Sequence, residues 1–495
     1  MRGPSSSHTA GAHRIGLTVR DLLDAEPETV RVTFDPGGSM APTWKPLGVD
    51  LAFAAGIMGW SMLGERYFSS VDLVREAGVT IGFEVGPLKG TTHPNGMLIE
   101  VTSVDSRQIR VVAEAVGGGG FRVVRLDYWD LDFDGKTHAL LVEVSAGGAS
   151  EILDLVPGAE RSEHGESILL CLKSAEIPDP RLVSRLRGHS EVAEVWTAAP
   201  VFRVRRGRPL FESAEEMVDL AEESGQSLGE IALAYESQLL GMTEDEALDE
   251  MARRYEVMSQ SVTAGLDDDR SDMLLLHPTA ADVLAAEGRG TVAIGGIHTR
   301  AAARALAVMH HCNSRGVVCA APTGGSAGTL PGVVTSVVED MDLSARRTAL
   351  ALFAASAVGL IVARRATFAA EIAGCQVEIG VAGAMAAATV VEAVGGTPRQ
   401  AVNAAAISLQ NTMGSPCDPV AGACEIPCHT RNALAASGAF TCADLILGGY
   451  ANPIPLDESI DASYEVGRAL PSELRCTAKG GCAVTPSALA MDRLR

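Results

Sequence analysis

Aromatic residues are scarce in this chain: Phe, Tyr and Trp together make up 4% of its 495 residues. A core of ordinary density must then be filled by Ala, Val and Leu, which suits helices of small residues packed closely. Basic charge is also short, with 40 Lys and Arg against 62 Asp and Glu and a formal net charge of −22. Nucleic acid and anionic membrane surfaces are bound through basic patches, so neither partner is expected. No Cys-x-x-Cys pair occurs, which weakens a zinc site. Long apolar runs are missing: the longest, 348–363, has arginines at both ends and is shorter than a bilayer span needs. The Met1 end carries no basic-then-apolar leader, so a cytoplasmic protein is expected.

What is present is uneven. A chain of this length exceeds one ordinary core, so two or three domains are expected. Residues 1–135 read as mixed α/β, with glycine-marked loops at Gly37-Gly38 and 117–120 separating a strand-like run (97–104) from a helix-like one (50–63). Residues 136–203 alternate strand, helix, strand, helix and strand in a βαβ-like order compatible with an ACT-type regulatory module. After the linker Val204-Arg-Arg-Gly-Arg-Pro, helical spacing takes over and continues through 204–495, an all-α domain.

Of ten cysteines, only Cys171 falls in the first 300 residues, and seven lie between Cys375 and Cys482. Cys375 precedes a helix-like run (376–394), Cys417 sits in the turn-rich Gly414-Ser-Pro-Cys-Asp-Pro, and Cys428 precedes another helical run (431–447). Thiols in loops at helix N-termini are stabilised as thiolates by backbone N–H groups and the helix dipole. Soft thiolates suit iron–sulfur clusters or zinc. Buried small hydrophobes remain the plain alternative reading for free cysteines in a helical domain.

Gly374-Cys-Gln-Val-Glu-Ile-Gly-Val-Ala-Gly-Ala-Met and Cys417-Asp-Pro-Val-Ala-Gly-Ala-Cys-Glu-Ile-Pro-Cys-His-Thr-Arg-Asn resemble signatures of the iron–sulfur-dependent L-serine dehydratases. Ala321-Pro-Thr-Gly-Gly-Ser-Ala-Gly-Thr-Leu-Pro-Gly resembles that family's glycine loop, and Gly3-Pro-Ser-Ser-Ser-His-Thr-Ala-Gly the start of its other subunit or domain. The resemblance runs over almost the whole chain. It implies a single-chain fusion of a β-type domain, an ACT-like insert and an α-type domain. It also implies a [4Fe–4S] cluster on Cys375, Cys417 and Cys428, a small amino-acid substrate, and a homodimer.

Other positions follow from the same resemblance. Ser5, Ser6, Ser7, His8 and Thr9 form an active-site loop, though by composition they equally cap the helix that follows. His93 and Asn95 fall in a His-Pro-Asn loop, which alone is ordinary turn chemistry. Thr323, Gly324, Gly325 and Ser326 form a candidate anion-cradling nest, and Arg431 with Asn432 is placed to meet a substrate carboxylate. Cys424, Cys476 and Cys482 read as core or spare thiols.

The departures concentrate around the substrate. Leu47 stands where the family carries a histidine that is a candidate proton acceptor, and leucine takes no proton. Either Lys45, Asp50, His8 or His93 replaces it, or the reaction has changed. Residues 365–370 lack the family's Asn and Ser, and a short segment is expected ahead of Arg2. The leading expectation is therefore a lyase acting on L-serine or a close β-hydroxy amino acid. A same-fold enzyme diverted to a non-serine substrate and a non-catalytic regulatory homologue are the rivals.

Overall fold

The structure is a computed structural model that describes residues 1–267 and 272–494. The chain divides into two compact units: 10–41 with 48–206 form one, and 1–9, 42–47 and 207–495 form the other.

The first unit holds two sheets. Strands β1 (Pro27–Phe34), β2 (Thr80–Val85), β3 (Gly96–Ser103), β4 (Gln108–Gly117), β5 (Gly120–Leu126) and β6 (Trp129–Phe133) make a six-stranded sheet in the order β2-β1-β3-β4-β5-β6. Only the β1–β2 pair is parallel, and its connection carries the Val49–Ile57 and Ser70–Glu76 helices, as parallel neighbours require a long crossover. The expected helix over 50–63 therefore ends six residues early. Glycines 117–120, read from sequence as a loop, form the β4–β5 hairpin turn, with positive φ at 117, 118 and 119. The Gly119 carbonyl accepts a hydrogen bond from Arg14 at 2.6 Å.

Strands β7 (His138–Ser145), β8 (Glu160–His164), β9 (Ser167–Ser174) and β10 (Val192–Ala198) form an antiparallel sheet in the order β10-β7-β9-β8. With the Ala149–Leu155 and Pro180–Arg187 helices the chain order is βαββαβ. Alternate residues Leu140, Val142 and Val144 of β7, with Ile168 and Leu170 of β9, pack on Ile152 and Leu186 of the helices. The extra strand β8 was not expected: Glu-Arg-Ser-Glu-His is polar throughout and exposed throughout, so it carries no alternation to read.

The second unit is helical from Ala214 onward. At its centre lies the Ile379–Ala393 helix, in which every residue but Glu392 is buried. A helix apolar all round belongs inside a core. The Thr329–Met341, Ala345–Arg365, Pro398–Gln410 and Cys428–Leu447 helices surround it. Small residues permit the closeness: a Cβ on Gly332 would stand 2.6 Å from the Ala301 carbonyl of the neighbouring helix. The 348–363 run, expected to be too short for a membrane, lies in a helix of 21 residues that passes on length, as does 375–393. Both are mostly buried inside this unit, at 67% and 89% of the apolar window, and are core helices.

Candidate metal centre

The cysteine-bearing segments are fixed by their neighbours. Gly374 has φ 73°, and a Cβ there would stand 2.6 Å from the Ser415 carbonyl, so only glycine fits. This approach lets the Cys375 amide donate to the Ser415 carbonyl at 3.0 Å. Next to it, fully buried Gln376 accepts from Gly414 N at 2.5 Å and donates to the Ser463 carbonyl at 2.8 Å. Cys417 pairs with the C-terminal segment: its amide donates to the Leu474 carbonyl at 2.8 Å, and Cys476 N donates back at 2.7 Å. Cys428 opens its helix. The loop between Cys417 and Cys428 is anchored by Glu425, whose buried carboxylate accepts from the amides of Leu274, Leu275 and Leu276 at 2.5, 2.9 and 2.9 Å.

Cys375 and Cys417 are joined by Glu378: one ligand atom from each lies within 4.8 Å of the other two. The Cys417 thiol hydrogen-bonds Cys375 and Cys476, and with burial this holds it well above the ordinary thiol range. Cys428 is near enough to Cys375 to disfavour its thiolate, and its thiol is hydrogen-bonded to Cys424. Among the described residues, one cation serves the group. Arg431 Nη1 lies 2.9 Å from buried Asp418, donates to the Pro416 carbonyl at 2.7 Å, and reaches Cys375 Sγ at 3.7 Å. Asp418 in turn accepts from Cys482 N at 2.7 Å. Three thiols with one guanidinium and a carboxylate fit a soft, positively charged metal group, because metal ligation requires the thiolate form.

The other expected residues fall in distinct places. Asn432 lies beneath the glycine loop. Its Oδ1 accepts from Gly328 N, Thr329 N and Thr329 Oγ1 at 3.2, 3.1 and 3.0 Å, and Nδ2 donates to the Gly325 and Cys428 carbonyls at 2.9 Å each. The amides that begin the Thr329–Met341 helix are thus held by a side chain of the same unit. Thr323 and Ser326 bond each other at 3.0 Å. Gly324 faces the N-terminal loop, where a Cβ would stand 2.9 Å from Pro4 O and Ser6 N.

In that loop, Ser5 Oγ lies 2.8 Å from His8 Nδ1, and His8 Nε2 lies 2.8 Å from Thr43 Oγ1. Burial pushes His8 down to about 3, so the imidazole is neutral. Thr9 Oγ1 donates to the Arg2 and Ser5 carbonyls at 2.8 Å, and Ser7 begins a π-helical turn, Ser7–Gly11, ahead of the Ala12–Leu23 helix. That helix has no side-chain cap, so the capping role does not appear. Leu47 packs with Met309, Cys424 and Cys428 in a small apolar cluster, while Lys45 is exposed. Asp50, His93 and Asn95 belong to the sheet-bearing unit. There Asp50 Oδ1 accepts from Leu51 N, and His93 Nδ1 accepts from Asn95 N at 3.1 Å.

Four residues of this centre were not anticipated: Thr43, Glu371, Glu378 and Asp418. Burial pushes the Glu371 carboxyl up to about 8 and Glu378 up to about 7. A visible signal existed for Glu378, a lone acid in an otherwise apolar run, since an isolated charge there needs a partner.

A family model described as serine dehydratase alpha chain matches residues 220–483. A probable L-serine dehydratase alpha chain of Bacillus subtilis (strain 168) is 36% identical over 284 residues, covering 57% of this chain and 95% of the relative. The L-serine dehydratase alpha chain of Peptoniphilus asaccharolyticus is 33% identical over 275 residues, 55% of this chain and 94% of the relative. L-serine dehydratase TdcG of Escherichia coli (strain K12) is 25% identical over 515 residues, 97% of this chain and 96% of the relative.

Proposed function

Since the chain belongs to the iron–sulfur-dependent L-serine dehydratase family, we propose that it is a cytoplasmic lyase that dehydrates and deaminates L-serine, or a close β-hydroxy amino acid, to a keto acid and ammonia. The observation that carries this reading is the buried meeting of Cys375 and Cys417 with Cys428 nearby and the Arg431 guanidinium beside them. These three cysteines hold the cluster, taken as [4Fe–4S]; bound there, it supplies a Lewis-acidic iron for the leaving hydroxyl.

The chain's own groups do the rest. Arg431, tied to Asp418, offsets the negative charge of the thiolates. Neutral His8 fixes the hydroxyls of Ser5 and Thr43 in one row, and Ser5, half-buried, is the member open to a ligand. Ser5 orients the substrate carboxylate. The βαββαβ module acts as the regulatory part, in keeping with its ACT-like order.

The test is anaerobic reconstitution of the full chain with iron and sulfide, recording cluster absorbance and pyruvate release from L-serine. Both are expected, and Cys417→Ser is expected to abolish cluster uptake. A reconstituted protein without iron and without turnover of any β-hydroxy amino acid would sink the reading. One observation favours a second reading: Leu47 makes the wall beside Cys428 apolar, which suits a substrate other than serine.

A further inference from the structure

We propose that Glu378 is a fourth ligand of this metal centre, its carboxylate holding the position that the three cysteines leave open when no substrate is bound. The inference rests on the iron–sulfur reading above and concerns a residue that reading does not use.

Position is the first argument. A Glu378 carboxylate oxygen lies within 4.8 Å of the sulfurs of both Cys375 and Cys417. On its other side is the glycine loop: a Cβ built on Gly325 would stand 3.6 Å from each Glu378 carboxylate oxygen and 3.4 Å from Cys424 Sγ. The carboxylate is therefore walled by three cysteines and by a backbone that has no side chain to shield it. Glycine at 325 keeps that approach open.

Charge is the second. The carboxylate receives one hydrogen bond, from the Thr323 hydroxyl, which is itself fixed by Ser326 N and Ser326 Oγ. No guanidinium or ammonium among the described residues is paired with Glu378; the nearby Arg431 is committed to Asp418. Deep acids are normally paired or bound to a metal. The surrounding thiols add negative charge on ligation that Arg431 offsets only in part, so a bound metal is the cation left to balance the Glu378 carboxylate. Carboxylate oxygen is an ordinary ligand for iron.

The plain structural role is not filled. Glu378 occupies the N-cap position of the Ile379–Ala393 helix, where an acidic side chain ordinarily accepts from the first-turn amides. It makes no such bond, and its backbone, at φ −111° and ψ −75°, lies outside regular helix geometry. The side chain is directed to the thiols instead.

The experiment uses the full chain, reconstituted anaerobically with 57Fe and sulfide, without substrate. Mössbauer spectra are compared for wild type and Glu378→Gln, alongside iron and sulfide content. The expected result is one iron distinct from the others in wild type, with its isomer shift changed in Glu378→Gln while iron content stays within about twofold. Superimposable spectra overturn the proposal. Should Glu378→Gln fail to fold or to take up iron, wild type carrying 13C-labelled glutamate carboxylates decides it. The reduced cluster is expected to show a 13C hyperfine coupling that L-serine removes, and no coupling overturns the proposal. A wild-type protein that takes up no iron overturns the iron–sulfur reading and this inference with it. That outcome is distinct from an iron-loaded protein lacking the Glu378 signature.

Discussion

Leu47 is the residue that distinguishes the two functional readings. It is buried beside Met309, Cys424 and Cys428, so a side chain placed there faces the Cys428 thiol. Leu47→His is expected to cost about 2 kcal/mol in denaturant unfolding, because a polar ring enters an apolar cluster. Its effect on turnover separates the two functional readings: a rise of roughly tenfold or more in pyruvate from L-serine marks the parent as diverted from serine, and no gain counts against diversion. His8 gives a second prediction. With both ring nitrogens held by hydroxyls at 2.8 Å, His8→Ala leaves Ser5 unfixed, and a loss of about 100-fold in kcat/KM is expected. Cluster absorbance, by contrast, should be unchanged. At this scale the sequence is informative where chemistry is carried by residue type, as with Cys375 and Cys417, whose sulfurs the fold brings together. It is silent about Asp418 and Thr43, whose importance comes from partners far along the chain, such as Cys482 for Asp418 and His8 for Thr43.

Among the elements, the glycine loop and the Cys428–Leu447 helix are bound together by one side chain. Asn432 supplies or receives every bond across that junction that involves Gly325, Gly328 and the Cys428 carbonyl. Asn432→Leu keeps the branching of the side chain but strands the Gly328 amide and the Gly325 carbonyl, so a loss of about 2 kcal/mol or more in unfolding free energy is expected. Hydrogen exchange at Gly328 N should accelerate with it. Sequence reasoning placed Asn432 at the substrate and the loop as an anion nest; the residue types support both ideas, but the amides concerned meet an amide side chain 103 or 104 residues away. Helices announced by apolar spacing were legible, as in 376–394, whereas polar β8 and the π-turn at Ser7–Gly11 were not. Neither has a periodicity of its own: each is fixed by what packs against it.

For the whole molecule, buried titratable groups set a pH window of stability in the metal-free protein. His8 is held neutral at about 3 against 6.5 when unfolded, so the stability it carries is present above 6.5 and is lost as pH falls towards 3. Glu371 is raised to about 8 against 4.5, so its stability is present below 4.5 and is lost as pH rises towards 8. Between 4.5 and 6.5 the two slopes oppose each other, and unfolding free energy should be level there. Outside that range it should fall on either side, by about 1.4 kcal/mol per pH unit for each group shifted in that sense. Glu371→Gln should lessen the alkaline decline, leaving the part that Glu378 carries, and tilt the plateau, which urea titrations at stepped pH would read directly. The broad division into α/β and all-α parts was visible in the glycine, strand and alanine patterns. The membership of residues 1–9 and 42–47 was not, since nothing in their composition indicates a helical partner.

That membership carries a consequence for the order of events in making the protein. Met1 N donates to the Val318 carbonyl at 2.8 Å, and Gly3 N to the Gly316 carbonyl at 3.1 Å. A ribosome must add some three hundred residues after 1–9 before their seats exist, at roughly 5–20 residues per second. For tens of seconds the arm bearing Ser5 and His8 has nowhere to dock, while the sheets behind it can already fold. Residues made some three hundred positions before their partners are therefore among the last to find their place, and a nascent chain stalled before about residue 330 should show this arm still open to protease.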